Sequence, residues 1–117
     1  MESPGTVEAP REIAVKETAE LAITDAEGAK LPAIAVKKGE TVTFNVENTA
    51  NFPHNFYIGT KEQLEANDRA AAKGTPDFSS GIESISYTFD QEATNLQYAC
   101  VIPGHYASMN GNFQIQP

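Results

Sequence analysis

From Arg11 onward the chain alternates apolar with polar or small side chains, in the two-residue period of a β-strand. Ile13 and Val15 open the pattern. Leu21 with Ile23, Ile34 with Val36, and Val42, Phe44 and Val46 within TVTFNVENT continue it. Further runs are Asn55–Ile58, Ile85–Phe89, Leu96–Cys100 and Phe113–Ile115. Turn-forming clusters lie between them, at Asp25–Gly28, Lys37–Glu40, Glu47–Ala50, Asp90–Asn95 and Pro103–Gly104. About seven or eight short strands at this spacing predict an all-β fold, an antiparallel Greek-key β-sandwich or barrel. Phe44, Phe56, Phe89 and Phe113 are the large side chains expected in its core.

One segment departs from the alternation. Thr60 followed three residues later by Gln63 has the form of a capping box, and LEANDRAAAK after it favours helix. Gly74 and Pro76 supply a stop. The spacing therefore predicts one inserted short helix over residues 61–73. Leu64 is its only large apolar side chain, so the helix should lie on the sandwich as a flap.

With 117 residues the chain holds one domain, read as a flexible lead-in at 1–10 and a single β domain at 11–117. Met1–Pro10 has neither the basic start nor the apolar core of a signal peptide. It reads as a tether left after a removed signal, or as an added leader. No apolar run approaches the roughly 20 residues needed to cross a bilayer. Sixteen acidic residues against eight basic give a formal charge of −8. That balance disfavours nucleic acid and suits a basic partner. After Glu92 the chain carries no charged side chain through Pro117, a stretch of 25 residues. Buried strands explain most of it. The loop Val101–Asn110 is better explained as an apolar contact surface.

The single cysteine, Cys100, excludes an internal disulfide and any two-cysteine metal site. Taken singly, the chemically interesting residues have ordinary explanations. Cys100 suits a buried thiol, His54 a hydrogen-bonded turn, Met109 core filling and His105 the surface. Taken together they form a pattern. Cys100, His105 and Met109 follow the order C-x4-H-x3-M around a Pro-Gly turn, in CVIPGHYASM. His54 opens another strand, in NFPHNF. Two imidazoles, one thiolate and a weak thioether match the donor preferences of a blue-copper site.

On these residues the chain resembles the cupredoxins, the type 1 blue-copper proteins. The resemblance spans about Ala33 to Gln116 and is strongest in NFPHNF and YACVIPGHYASMNG. The loop spacing is similar to that of azurins, and FPHN to that of plastocyanins and auracyanins. The resemblance implies one type 1 copper, with His54, Cys100 and His105 as equatorial ligands and Met109 as the axial one. It also implies that Asn55 ties the two ligand segments together and that its backbone N–H meets the Cys100 sulfur. Pro53 and Pro103, which lack N–H groups, are expected to stiffen the site. Phe52, Val101, Ile102, Pro103 and Tyr106 are the expected apolar rim around His105.

The function so implied is electron transfer by a small soluble protein, through the exposed edge of His105, with no substrate transformed. Expected partners are redox proteins such as a cytochrome or a copper oxidoreductase, met by a monomer. A periplasmic or other extracytoplasmic location follows from the family, with tethering through the N-terminal segment as an option. Copper delivery or storage is the alternative, as is a cupredoxin domain excised from a larger copper oxidoreductase. A catalytic second copper needs further histidines, and both of this chain's are already assigned.

Overall fold

A computed structural model describes residues 9–29, 31, 33–90 and 96–116. The lead-in at 1–8 and most of the expected turn at Asp90–Asn95 lie outside the described residues. Nine strands and one short helix follow in the order β1 (Arg11–Glu17), β2 (Ile23–Thr24), β3 (Ile34–Lys37), β4 (Thr41–Asn48), β5 (Tyr57–Thr60), α1 (Lys61–Glu65), β6 (Lys73–Gly74), β7 (Gly81–Thr88), β8 (Leu96–Ala99) and β9 (Asn110–Gln116). They build two sheets, ordered β2-β1-β4-β7 and β3-β9-β8-β5-β6. The chain passes repeatedly from one sheet to the other.

The strands follow the alternation, but two of their pairings depart from the antiparallel expectation. β1 pairs β4 in parallel, with Ile13 beside Phe44 and Val15 beside Val46. β3 pairs β9 in parallel as well, with Ile34 beside Phe113. The sandwich is therefore mixed rather than antiparallel. Side-chain alternation has the same period in both arrangements, so it cannot report strand direction.

β4 shows what the pattern does specify. Val42, Phe44 and Val46 are fully buried, while Thr43, Asn45 and Glu47 between them are partly exposed. Phe44 meets Phe56 with ring centroids 5.3 Å apart and Phe113 at 5.9 Å. Tyr98 stacks on Phe56 at 5.6 Å, and Phe89 packs on Phe113 at 4.8 Å. The four phenylalanines expected inside are all buried. Aromatic pairs at these separations add to the gain from burial itself.

Two local expectations change. Leu21 does not extend β2; it sits at φ 58° in a turn closed by the Thr18 N–H on the Ala22 carbonyl and by its own N–H on the Thr18 carbonyl. The helix is also shorter than residues 61–73. Its capping box forms as expected, with Gln63 N–H on Thr60 Oγ1 and Thr60 N–H on Gln63 Oε1. The helix nevertheless ends at Glu65. Asn67 takes φ 55°, the Asp68 carboxylate accepts from the Ala71 N–H, and Lys73–Gly74 leave to pair with β5. Leu64 alone anchors this segment, so a longer helix would have no second apolar face to bury, and Asn and Asp favour turns. Leu64 packs with Ala99 and Val101 in a small cluster apart from the main core. The flap placement therefore stands.

Gly111 on β9 lies directly across from Tyr98 on β8, and a Cβ there would collide with the phenol ring. Tyr98 is buried and has nowhere to retreat. Gly111→Ala is expected to lower stability by about 1–3 kcal/mol in urea denaturation, the range for overpacking a filled core.

Candidate metal centre

One end of the sandwich is shaped by two segments that carry donor atoms. The first follows β4. Asn48, at the end of that strand, is buried, and its Nδ2 donates to the carbonyls of Phe52 and Phe78 at 2.8 and 2.7 Å. Its Oδ1 accepts from the Ala50 N–H at 2.8 Å. These bonds curl the chain so that residues 54–56 run beside residues 75–78. His54 and Phe78 exchange both backbone hydrogen bonds in an antiparallel bridge. Thr75 does the same work for Phe56, through its N–H and its hydroxyl.

The second segment joins β8 to β9. Cys100 donates its N–H to the Met109 carbonyl at 3.0 Å, closing the loop at its base. Pro103 and Gly104 take the central positions of a turn sealed by the His105 N–H on the Ile102 carbonyl. Gly104 has φ 88°, a conformation that a glycine adopts without strain. The His105 carbonyl then accepts from the Ser108 and Met109 N–H groups. Cys100, His105 and Met109 are thus linked through the backbone before any ion is considered.

The side chains converge. His54 Nδ1 lies 3.7 Å from Cys100 Sγ and His105 Nδ1 3.5 Å from it. All three donor atoms fall within 4.8 Å of one another. Bonds of about 2.0–2.3 Å to nitrogen and sulfur, at trigonal to tetrahedral angles, place such atoms roughly 3.5–3.8 Å apart. The two nitrogen–sulfur spacings fit one small ion between them.

Protonation suits that use. His54 Nε2 sits 3.0 Å from the Thr18 carbonyl. A carbonyl only accepts, so Nε2 carries the hydrogen and Nδ1 presents its lone pair. Burial lowers the His54 pKa, against the opposing pull of the Thr18 bond, so the ring is neutral at neutral pH. Burial pushes the Cys100 thiol up to about 11, while the N–H groups of Asn55 and Ile102 act the other way. The metal-free thiol therefore keeps its proton, and an ion must displace it on binding.

Asn55 is placed between the two segments. Its backbone N–H points at Cys100 Sγ at 3.5 Å, and its Oδ1 accepts from the Val101 N–H at 2.8 Å. Met109 is fully buried and belongs to the main core cluster, as does Cys100. Pro53 and Pro103 are exposed, each next to or near a donor residue. The expected rim around His105 is smaller than its five candidates. Phe52 packs edge-on against both His54 and His105, at 5.1 and 6.2 Å. Ile102 and Pro103 keep some exposure. Val101 is buried instead in the cluster with Leu64 and Ala99, while Tyr106 keeps some exposure, packs against that cluster and donates its Oη to Gln97 Oε1 at 2.6 Å.

The cluster of His54, Cys100, His105 and Met109 is consistent with one type 1 copper. A family description of copper-binding proteins of the plastocyanin/azurin type matches residues 12–116. The chain belongs to that family. Solved cupredoxins share the fold. An azurin from Methylomonas sp. strain J superposes with a TM-score of 0.73 at 16% identity, over 93% of this chain and all of that one, 100%. A dithionite-reduced auracyanin from Roseiflexus castenholzii gives 0.68 at 25% identity, over 92% and 97% of the two chains. In sequence, the copper-resistant cuproprotein CopI of Rubrivivax gelatinosus is 29% identical over 93 residues. That match takes in 71% of this chain and 56% of CopI, so this cupredoxin spans little more than half of that relative.

Four residues near the site escaped the sequence reading. Thr18, Arg69 and Asp77 act through contacts that only the fold creates. Glu17 did leave a trace, because it falls in phase with Ile13 and Val15 on the inward face of β1. It is fully buried, and among the described residues neither carboxyl oxygen has a hydrogen-bond partner. Burial raises its pKa from 4.5 to about 9. At low pH this acid is neutral whether the chain is folded or not. Between about pH 4.5 and 9 only the unfolded chain ionises it, so stability falls as pH rises. Glu17→Gln in the metal-free protein is expected to raise stability by about 3 kcal/mol at pH 7. Urea denaturation across that pH range should show a flatter profile for the variant.

Proposed function

We propose that this cupredoxin is a one-electron carrier and that electrons enter and leave through the exposed edge of His105. Bound copper would supply the Cu(II)/Cu(I) couple. The observation that carries the reading is the asymmetry of the donor set: His54 and Cys100 are fully buried, whereas His105 is partly exposed beside Phe52, Ile102 and Pro103. In this reading His54, Cys100 and His105 hold the ion and the Met109 thioether adjusts its potential. Closed backbone bonds on both donor segments resist rearrangement between oxidation states, which is what rapid transfer requires.

The same features support a partner of defined character. Sixteen acids against eight bases would steer a basic surface toward the protein, and the apolar rim would form the final contact. A cytochrome or a copper oxidoreductase with a basic patch has that chemistry. A monomer acting outside the cytoplasm fits this reading. No helix of the described residues is long and apolar enough to cross a membrane.

Copper handling is the second reading, favoured by the likeness to a copper-resistant cuproprotein. Delivery requires ready release, which the burial of His54 and Cys100 opposes. Enzymatic turnover at a second copper would need histidines beyond the two at this site.

Titration with Cu(II) is expected to give an intense thiolate charge-transfer band that saturates at one copper per chain, and Cys100→Ser should abolish it. Persistence of the band would remove Cys100 from the ligand set. Met109→Gln should keep the band and lower the potential, since a harder axial donor favours Cu(II). Stopped-flow exchange with a basic cytochrome should slow as salt shortens the Debye length from roughly 30 to 8 Å. Slow exchange together with quick copper loss to a chelator would favour the handling role.

A further inference from the structure

Residues 61–72, which follow β5, contribute one leucine to a side cluster and no side chain to the main core, yet they reach toward the metal centre. Arg69 lies on this segment. Its Nη1 is 2.9 Å from Asp77 Oδ1, its Nε donates to Asn67 Oδ1 at 3.0 Å, and its guanidinium stands 5.7 Å from the Tyr57 ring centroid. The same Asp77 oxygen accepts from Asn55 Nδ2 at 2.8 Å. From Asn55 the contacts continue to the Val101 N–H and the Cys100 sulfur. A single line of polar contacts thus joins a surface guanidinium to a buried thiol.

The order of donors along this line matters. A primary amide has nearly the same shape when turned end for end, so packing alone cannot orient it. The Asp77 carboxylate can only accept, which obliges Asn55 to turn its NH₂ toward it. Oδ1 must then face the Val101 N–H. The reversed amide would set a donor against a donor at a buried site. Asp77 in turn is 42% exposed at its side chain and Arg69 35%. An ion pair so placed adds little stability by itself. Its consequence is directional, because the guanidinium keeps the carboxylate from swinging out to water.

Resting on the copper reading above, we propose that Asp77 and Arg69 are positioning residues for the metal–thiolate bond. They orient the Asn55 amide, and through it the spacing of the two donor segments and the N–H directed at sulfur. The inserted segment 61–72 is then the arm that carries Arg69 into place.

The test compares wild type with Asp77→Ala, Asp77→Asn, Arg69→Met and the Arg69→Met/Asp77→Ala double variant. In the metal-free protein, amide hydrogen exchange at Val101 should quicken about tenfold in Asp77→Ala, as expected for loss of a polar partner. Exchange at Phe44 in β4 should not change. Asp77→Asn still offers an acceptor and should restore most of the Val101 protection. In the copper-loaded protein, Asp77→Ala and Arg69→Met should each shift the thiolate band and the potential. The Arg69→Met shift should vanish when Asp77 is already Ala. Unchanged exchange at Val101 in Asp77→Ala overturns the proposal, as does an Arg69→Met shift of equal size in both backgrounds. If Asp77→Ala fails to fold, Val101 exchange in the exposed Arg69→Met variant decides: faster exchange supports the proposal and an unchanged rate overturns it. A wild type without a thiolate band would remove the copper reading, while the exchange data would still judge the orientation of Asn55.

Discussion

The metal centre depends on one hydrogen bond, from the Val101 N–H to the Asn55 side-chain oxygen at 2.8 Å. It joins segments 46 residues apart in sequence, the approach to β5 and the exit from β8. His54 lies one residue before this bond and Cys100 one residue before its other end. Both partners are buried, so no water competes for them, and leaving either unpaired would carry the full cost of desolvation. A small amide therefore sets the distance between an imidazole and a thiol more firmly than apolar packing would. Without it, the donor atoms would belong to two loops that merely end near each other.

The burial that tightens this bond also governs the charges nearby. Burial drives the Cys100 thiol and the Glu17 carboxyl toward their neutral forms, and the charge of Glu17 adds to the effect on Cys100. Among the described residues that carboxyl has no hydrogen-bond partner to offset its loss of water. Its presence at the inner end of β1, where Thr18 begins the turn that holds His54, is a cost carried beside the functional centre. By contrast the exposed acids impose no such local penalty, and their effect is felt at a distance as a field.

Much of this was legible in the chain because the information is local. Val42, Phe44 and Val46 declare a strand and its buried face by their spacing alone. Cys100, His105 and Met109 sit in one loop, so their convergence is a matter of ten residues and a Pro-Gly turn. Thr60 and Gln63 announce the start of α1, and that start is where they place it. The parallel pairing of β1 with β4 and the burial of Val101 are decided by distant partners, whereas α1 ends early through a local turn at Asn67 and Asp68 that the helix-favouring residues after it mask. Asp77 meets Asn55 only because the chain returns to lie beside His54, and no period in the sequence records that return.

The position of β9 has a consequence for the order of events in the life of the molecule. This last strand lies between β3 and β8, within its sheet, and the loop bearing Cys100, His105 and Met109 is hung from it. β3 and β9 are parallel, so their pairing waits for contacts far apart along the chain, which form slowly. His54 is held by Thr18 and Phe78, both earlier in the chain than β8, and the loop that brings its neighbouring donors is closed by β9. The full donor geometry is thus present only where the sandwich is complete, so the state of the centre reports on the pairing of β9.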